Sequence, residues 1–154
     1  MTTITQSTSI ECTPRELFQF LTKPANIVSV SPHLPSLSFY SPSLMLGKGQ
    51  IVHSALNYGL FQLTWNTKIT KFEPYTFFEG TLVEGPFKKW VHRHHFEYQG
   101  KKTIIHDEIE YEVGLGLLGK LIERLIINYQ IENFLKERMK NTTAKIKQVR
   151  KNIA

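Results

Sequence analysis

Alternation of polar and apolar positions dominates the middle of this chain. From Phe87 to Val113 it reads FKKWVHRHHFEYQGKKTIIHDEIEYEV, with a single turn signal at Gln99-Gly100-Lys101-Lys102. Glycine accepts the positive φ that a two-residue hairpin turn demands, so a turn at Gly100-Lys101 joins two long antiparallel strands. That turn sets Arg93 opposite Glu108 and Lys89 opposite Glu112, two opposite-charge pairs on one face. The other face carries Trp90, His92, His94, Phe96 and Tyr98 against Thr103, Ile105, Asp107, Ile109, Tyr111 and Val113. A slip of one residue would set the aromatic row against Glu108, Glu110 and Glu112, so the register is well specified. The hairpin therefore has one charged, solvated face and one apolar face with His92, His94 and Asp107 embedded in it. Such polar groups need partners, because a bare buried charge is costly.

The remaining patterns supply the other elements. Ile4 to Ile10 alternates weakly and predicts a first strand. Thr13-Pro14-Arg15-Glu16 is a helix start: a threonine N-cap, a proline at the first helical position and a glutamate that completes a capping box. Leu17, Phe18 and Leu21 then form the apolar face of a short helix, and Pro24 opens a second one, Ala25 to Val30. The proline-rich stretch Ser31 to Pro42 is loop with a short strand at Leu37–Tyr40, and Gly47-Lys48-Gly49 marks a turn. Strands follow at Gln50–Asn57, at the alternating row Phe61, Leu63, Trp65, Thr67, Ile69, and at Thr76–Glu84. Gly114, Gly116 and Gly119 then mark a change of period, and Leu121, Leu125, Ile131, Leu135, Met139 and Ile146 describe one stripe of a helix of about 30 residues starting near Leu117. An antiparallel sheet with one dominant helix must curl around it to bury both apolar surfaces. The expectation is an α+β helix-grip fold: a curved antiparallel sheet of six to seven strands wrapped around a long C-terminal helix, with two short helices after the first strand. A ligand pocket would form between sheet and helix.

Composition narrows the classes. A length of 154 residues suits one domain, 1–154, with a core of its own. No run of 18 apolar residues offers a transmembrane helix, and the start MTTITQSTSIEC carries no secretory pattern. The lone Cys12 rules out an internal disulfide and a cysteine-built metal site. Together these predict a cytoplasmic protein. The net charge of +6 is concentrated: residues 120–154 hold nine Lys/Arg against Glu123, Glu132 and Glu137, while the rest of the chain balances. Lys136, Arg138, Lys140, Lys145 and Lys147 are expected to keep the helix soluble, with a basic tail from about 141. The competing expectation is a partner, ribosomal RNA or an acidic protein surface, met by this basic helix.

Some of these residues resemble a known family. The opening TPRELFQFLTKPANI, the run Gly85-Pro86-Phe87, the pattern Trp90-x-His92-x-His94-x-Phe96 and the pattern Thr103-x-x-x-Asp107-x-x-x-Tyr111 look like the START-like, or SRPBCC, superfamily of polyketide cyclases, lipid-transfer domains and birch-pollen-allergen-type proteins, in a bacterial ligand-binding branch. The resemblance covers nearly the whole chain and implies the helix-grip fold and a hydrophobic ligand. It does not imply one activity, since the superfamily mixes carriers, receptors and enzymes. The Gly47-Lys48-Gly49 turn is shorter than the glycine loop of the plant members, so their ligands do not carry over.

The candidate chemistry follows from the hairpin register. His94 faces Asp107, with His92 two residues along, and a carboxylate beside an imidazole fixes its tautomer and can raise its pKa. Such a pair either ties two strands together or moves a proton, with Tyr111 bonding an enolate in a cyclase-type reaction. Trp65, Phe61, Phe78, Trp90, Phe96 and Tyr111 fall on inner positions and, with His92, His94 and Asp107, form the expected ligand wall, while Phe18 and Phe134 are expected to pack helices. The His-x-His spacing with Asp107 or His53 would suit a metal, but without cysteines and without a clear third ligand none is expected. Nor is a cofactor: Gly114-x-Gly116-x-x-Gly119 follows an antiparallel strand instead of opening a βαβ unit. Nucleophile-elbow and phosphate-loop motifs are missing from the sequence. The leading expectation is binding or carriage of a small apolar molecule, ahead of a cyclase or dehydratase and of a ribosome- or partner-binding role.

Overall fold

The computed structural model describes residues 1–32, 35–40, 44–114, 116 and 126–153. Its elements are β1 (Thr2–Ile10), α1 (Pro14–Leu21), α2 (Pro24–Val30), β2 (Ser36–Phe39), β3 (Ile51–Asn57), β4 (Gln62–Glu73), β5 (Phe77–Glu84), β6 (Lys89–Gln99), β7 (Lys102–Glu112) and a long C-terminal helix, α3 (Asn128–Ile153). The seven strands form one antiparallel sheet in the order β1-β7-β6-β5-β4-β3-β2. This is the helix-grip architecture expected from the pattern. The stripe residues Leu121 and Leu125, the start near Leu117 and Gly119 lie outside the described residues.

Local chemistry explains the boundaries. Glu16 Oε2 accepts from the Thr13 backbone N–H at 2.7 Å, and the Glu16 N–H donates to Thr13 Oγ1 at 3.2 Å, closing the capping box. Gly100 turns the hairpin at φ 69°, a left-handed conformation in which an L side chain is strained. The register is the expected one, with His94 opposite Asp107, Arg93 opposite Glu108 and Lys89 opposite Glu112. The charged face is wired diagonally, however. Arg93 reaches Glu79 at 2.8 Å, Glu108 at 2.5 Å and Glu110 at 3.1 Å. Lys89 bonds Glu110 at 2.5 Å while Lys88 takes Glu112 at 2.6 Å. Right-handed twist brings diagonal neighbours within reach of long side chains, so facing positions are not always the bonded ones.

The helix does not grip the sheet evenly. Ile131 and Leu135 pack with Ile4, Ile109 and Tyr111, and Met139 and Ile146 pack with Ile10, Leu17, Phe18, Phe96 and Ile105. These contacts gather on β1, β6, β7 and α1. A separate apolar group, Ile27, Leu46, Val52 and Ile69, lines the far side under β3 and β4. The gap between the two is the cavity.

Candidate functional site

A cavity of about 420 Å³ lies between α3 and the β2–β6 part of the sheet. Its wall is mostly apolar: Leu37 and Phe39 from β2, Val52 and Leu56 from β3, Leu63, Trp65 and Ile69 from β4, with Ile131 and Phe134 from α3. Strand alternation sends every second side chain of β4 inward, which is why Leu63, Trp65, Thr67 and Ile69 all reach the lining. β5 contributes Phe78 and then Gly80, where a side chain is missing from the wall. A Cβ there would stand 2.8 Å from Thr67 Cγ2, so the close approach of β4 and β5 needs glycine.

One corner of this wall is polar. His92 Nε2 lies 3.1 Å from Asp107 Oδ1, and His94 Nδ1 lies 2.6 Å from the same oxygen, off the axis of a hydrogen bond. The imidazoles stand 3.9 Å apart, and His94 stacks on Phe78 at 4.2 Å. His92 and His94 line the cavity, with Asp107 at 1% exposure behind them. Arg138 of α3 also lines the cavity, at 7% exposure. Burial pushes the His94 imidazole down to about 3, helped by His92 and opposed by Asp107. Burial lowers His92 as well, against its bond to Asp107. Burial alone would raise the Asp107 carboxyl, but the bond to His92 and the close approach of the His94 ring hold it below its ordinary value. Burial also lowers Arg138, with Asp107 opposing, yet a guanidinium keeps its proton in proteins. At neutral pH the corner therefore holds one carboxylate, one guanidinium and two neutral imidazoles.

The expected site residues divide. Trp65, Phe78, Trp90, His92 and His94 meet around the cavity. Phe96 does not: it packs edge-on against Phe18 at 5.4 Å and belongs to the core beneath α1. Tyr111 is fully buried, its hydroxyl donates to Asn128 Oδ1 and its ring packs on Phe87, so it sits behind the wall and away from any enolate there. Phe61 precedes β4, stacks on Tyr58 at 5.0 Å and is 58% exposed. Phe61 lies one residue before the strand, and beyond the last paired residue, Gln62, the backbone no longer directs it inward.

Two residues on α3 stand elsewhere than the sequence predicts. Phe134 lines the cavity instead of only packing the helix. Arg138 is buried instead of lying on the solvated basic face. Its signal was legible: Arg138 stands three residues after Leu135 and seven after Ile131, in phase with the apolar stripe.

His92, His94 and Asp107 present ligand atoms within 4.8 Å of one another, the spacing of a metal site. His53 is exposed on the far face and adds nothing to it. Arg138 sets a positive charge on the same corner, which opposes a divalent cation.

A START superfamily protein from Mycobacterium smegmatis superposes with a TM-score of 0.73 at 10% identity, covering 96% of this chain and 98% of that one. TTHA0849 from Thermus thermophilus gives 0.72 at 14%, covering 94% and 99%. The major latex-like protein 151 of Panax ginseng gives 0.68 at 16%, covering 94% and 96%. At such identities the likeness speaks for the fold alone. No curated protein matches the sequence. A family model described as polyketide cyclase / dehydrase and lipid transport matches residues 10–135. With most of its length inside that match and a helix-grip fold around an internal cavity, the chain belongs to the polyketide cyclase / dehydrase and lipid transport family of START-like proteins.

Proposed function

We propose that residues 1–154 act as one domain that binds and carries a small, mostly apolar molecule between sheet and helix. The observation that carries this is the cavity itself, about 420 Å³ with a mostly apolar wall. That volume falls inside the range of roughly 300–1,000 Å³ of small-molecule sites. Trp65, Phe78 and Trp90 would hold the apolar body, and His92 and His94 would orient one polar group. The test is native mass spectrometry of freshly purified protein, with binding of the neutral fluorophore N-phenyl-1-naphthylamine as the direct assay. A co-purified adduct released on denaturation, or saturable fluorescence enhancement, is expected. Absence of both sinks the reading.

A second reading, a cyclase- or dehydratase-type enzyme, draws support from His92 and His94 on the wall, with Asp107 behind them, and from the family description. It ranks lower on a physical ground. Burial holds the His94 imidazole below its ordinary value, which weakens it as a proton acceptor. Turnover of a β-dicarbonyl probe by the wild type, lost in His94→Ala with the fluorophore still bound, would reverse the ranking.

A further inference from the structure

Arg138 is a buried cation that forms no direct ion pair among the described residues. It points from α3 into the cavity, and among the described residues its guanidinium makes no hydrogen bond and no ion pair, its Nε being fully enclosed and unpartnered. The Asp107 carboxylate acts on it only at longer range: Oδ1 faces His92 at 3.1 Å and His94 at 2.6 Å, Oδ2 has no hydrogen-bond partner, and no ion pair joins it to Arg138. No other Lys or Arg and no Asp or Glu lines the cavity among the described residues. The mostly apolar wall thus carries a single forked donor that no direct ion pair among the described residues satisfies. A buried charge of that kind is unfavourable until a ligand completes it.

We propose that Arg138 receives the carboxylate of an amphipathic monocarboxylic ligand whose apolar body fills the chamber. The inference deepens the ligand-binding reading above and rests on it. A planar carboxylate matches the guanidinium fork with two parallel hydrogen bonds. A phosphate monoester is a poor fit, because its second charge would find no second cation and would face the Asp107 carboxylate. A ligand with only a hydroxyl or carbonyl head would offer one uncharged acceptor to a fork of parallel donors. A divalent metal on His92, His94 and Asp107 would meet the same positive charge.

The experiment uses the full chain loaded with N-phenyl-1-naphthylamine and compares displacement by decanoate and by 1-decanol, matched in chain length and differing in the head. Decanoate is expected to compete roughly ten-fold better or more, the scale of a charge-assisted hydrogen-bond pair. Arg138→Met should bind the fluorophore and lose the preference, and Arg138→Lys should restore part of it. Equal or better competition by 1-decanol in the wild type overturns the carboxylate assignment and leaves the cavity reading standing. A preference that survives in Arg138→Met overturns it too. If the fluorophore fails to bind the wild type and neither decyl compound binds by native mass spectrometry, the cavity reading fails and the inference goes with it. Should Arg138→Met not fold, the wild-type comparison decides alone.

Discussion

Gly80 shows how much one missing side chain can matter. It sits between Ile69 on β4 and His92 on β6, and a Cβ would press on Thr67 Cγ2 at 2.8 Å. Threonine is stiff at χ1, so the clash cannot be relieved by a free rotation. Gly80→Ala is expected to cost about 1–3 kcal/mol as overpacking. Thr67→Ser removes the clashing methyl, so the double variant should recover most of that loss in urea unfolding. Equal destabilisation in the single and double variants would remove this account. At the same scale, His94 couples stability to acid. Its imidazole is held to about 3 against an ordinary 6.5, facing His92, Asp107, Arg138 and Phe78. Between those values the unfolded chain binds the extra proton, so stability falls as pH drops from 6.5. The Asp107 carboxyl, also held low, adds to the loss as pH falls below its ordinary 3.8. The urea midpoint should therefore decline from pH 7 to pH 4 in the wild type and decline less steeply in His94→Gln. Parallel slopes would mean that His94 is not buried in its neutral form.

Among the elements, α3 joins the two halves of the molecule. Leu135 is fully buried against β1 and β7 residues, in the same stripe that carries Arg138 toward the cavity. Leu135→Ala should cost about 2–5 kcal/mol as a core truncation. A cost near zero by calorimetry or urea unfolding would detach the helix from the sheet and dismantle the site. The β6–β7 hairpin was readable to the residue because charge complementarity, face alternation and a glycine turn agreed on one register. Its side-chain partners were less readable. Lys89 was expected on Glu112 and bonds Glu110 instead, since twist redistributes contacts along a charged face.

For the whole molecule, two surfaces compete for a role, the cavity and the basic C-terminal helix. Lys136, Lys140, Lys145 and Lys147 are exposed, whereas Arg138 is not. Changing those four lysines to Gln is expected to alter stability by about half a kcal/mol or less. Fluorophore affinity should stay unchanged. Salt-sensitive association of the wild type with ribosomes or RNA, absent in the four-fold variant, would instead promote the basic helix to the functional surface.

What the sequence determined by itself was local or periodic: the capping box at Thr13, the hairpin register, the alternation of β4 and the apolar stripe of the long helix. Each of these is written in neighbours along the chain, so a one-dimensional pattern carries it. Only the tertiary structure decided which inner faces become core and which become cavity. Phe96 and Trp65 share the same alternation signal, yet one lies under α1 and the other opens on the chamber, because the helix packs on the β1–β7–β6 side and leaves the β2–β5 side bare. The placing of Arg138 in the same cavity wall as His92 and His94 was likewise beyond the sequence. It joins residues from opposite layers, and that distance is set by how far the sheet curls, which no periodicity along the chain records.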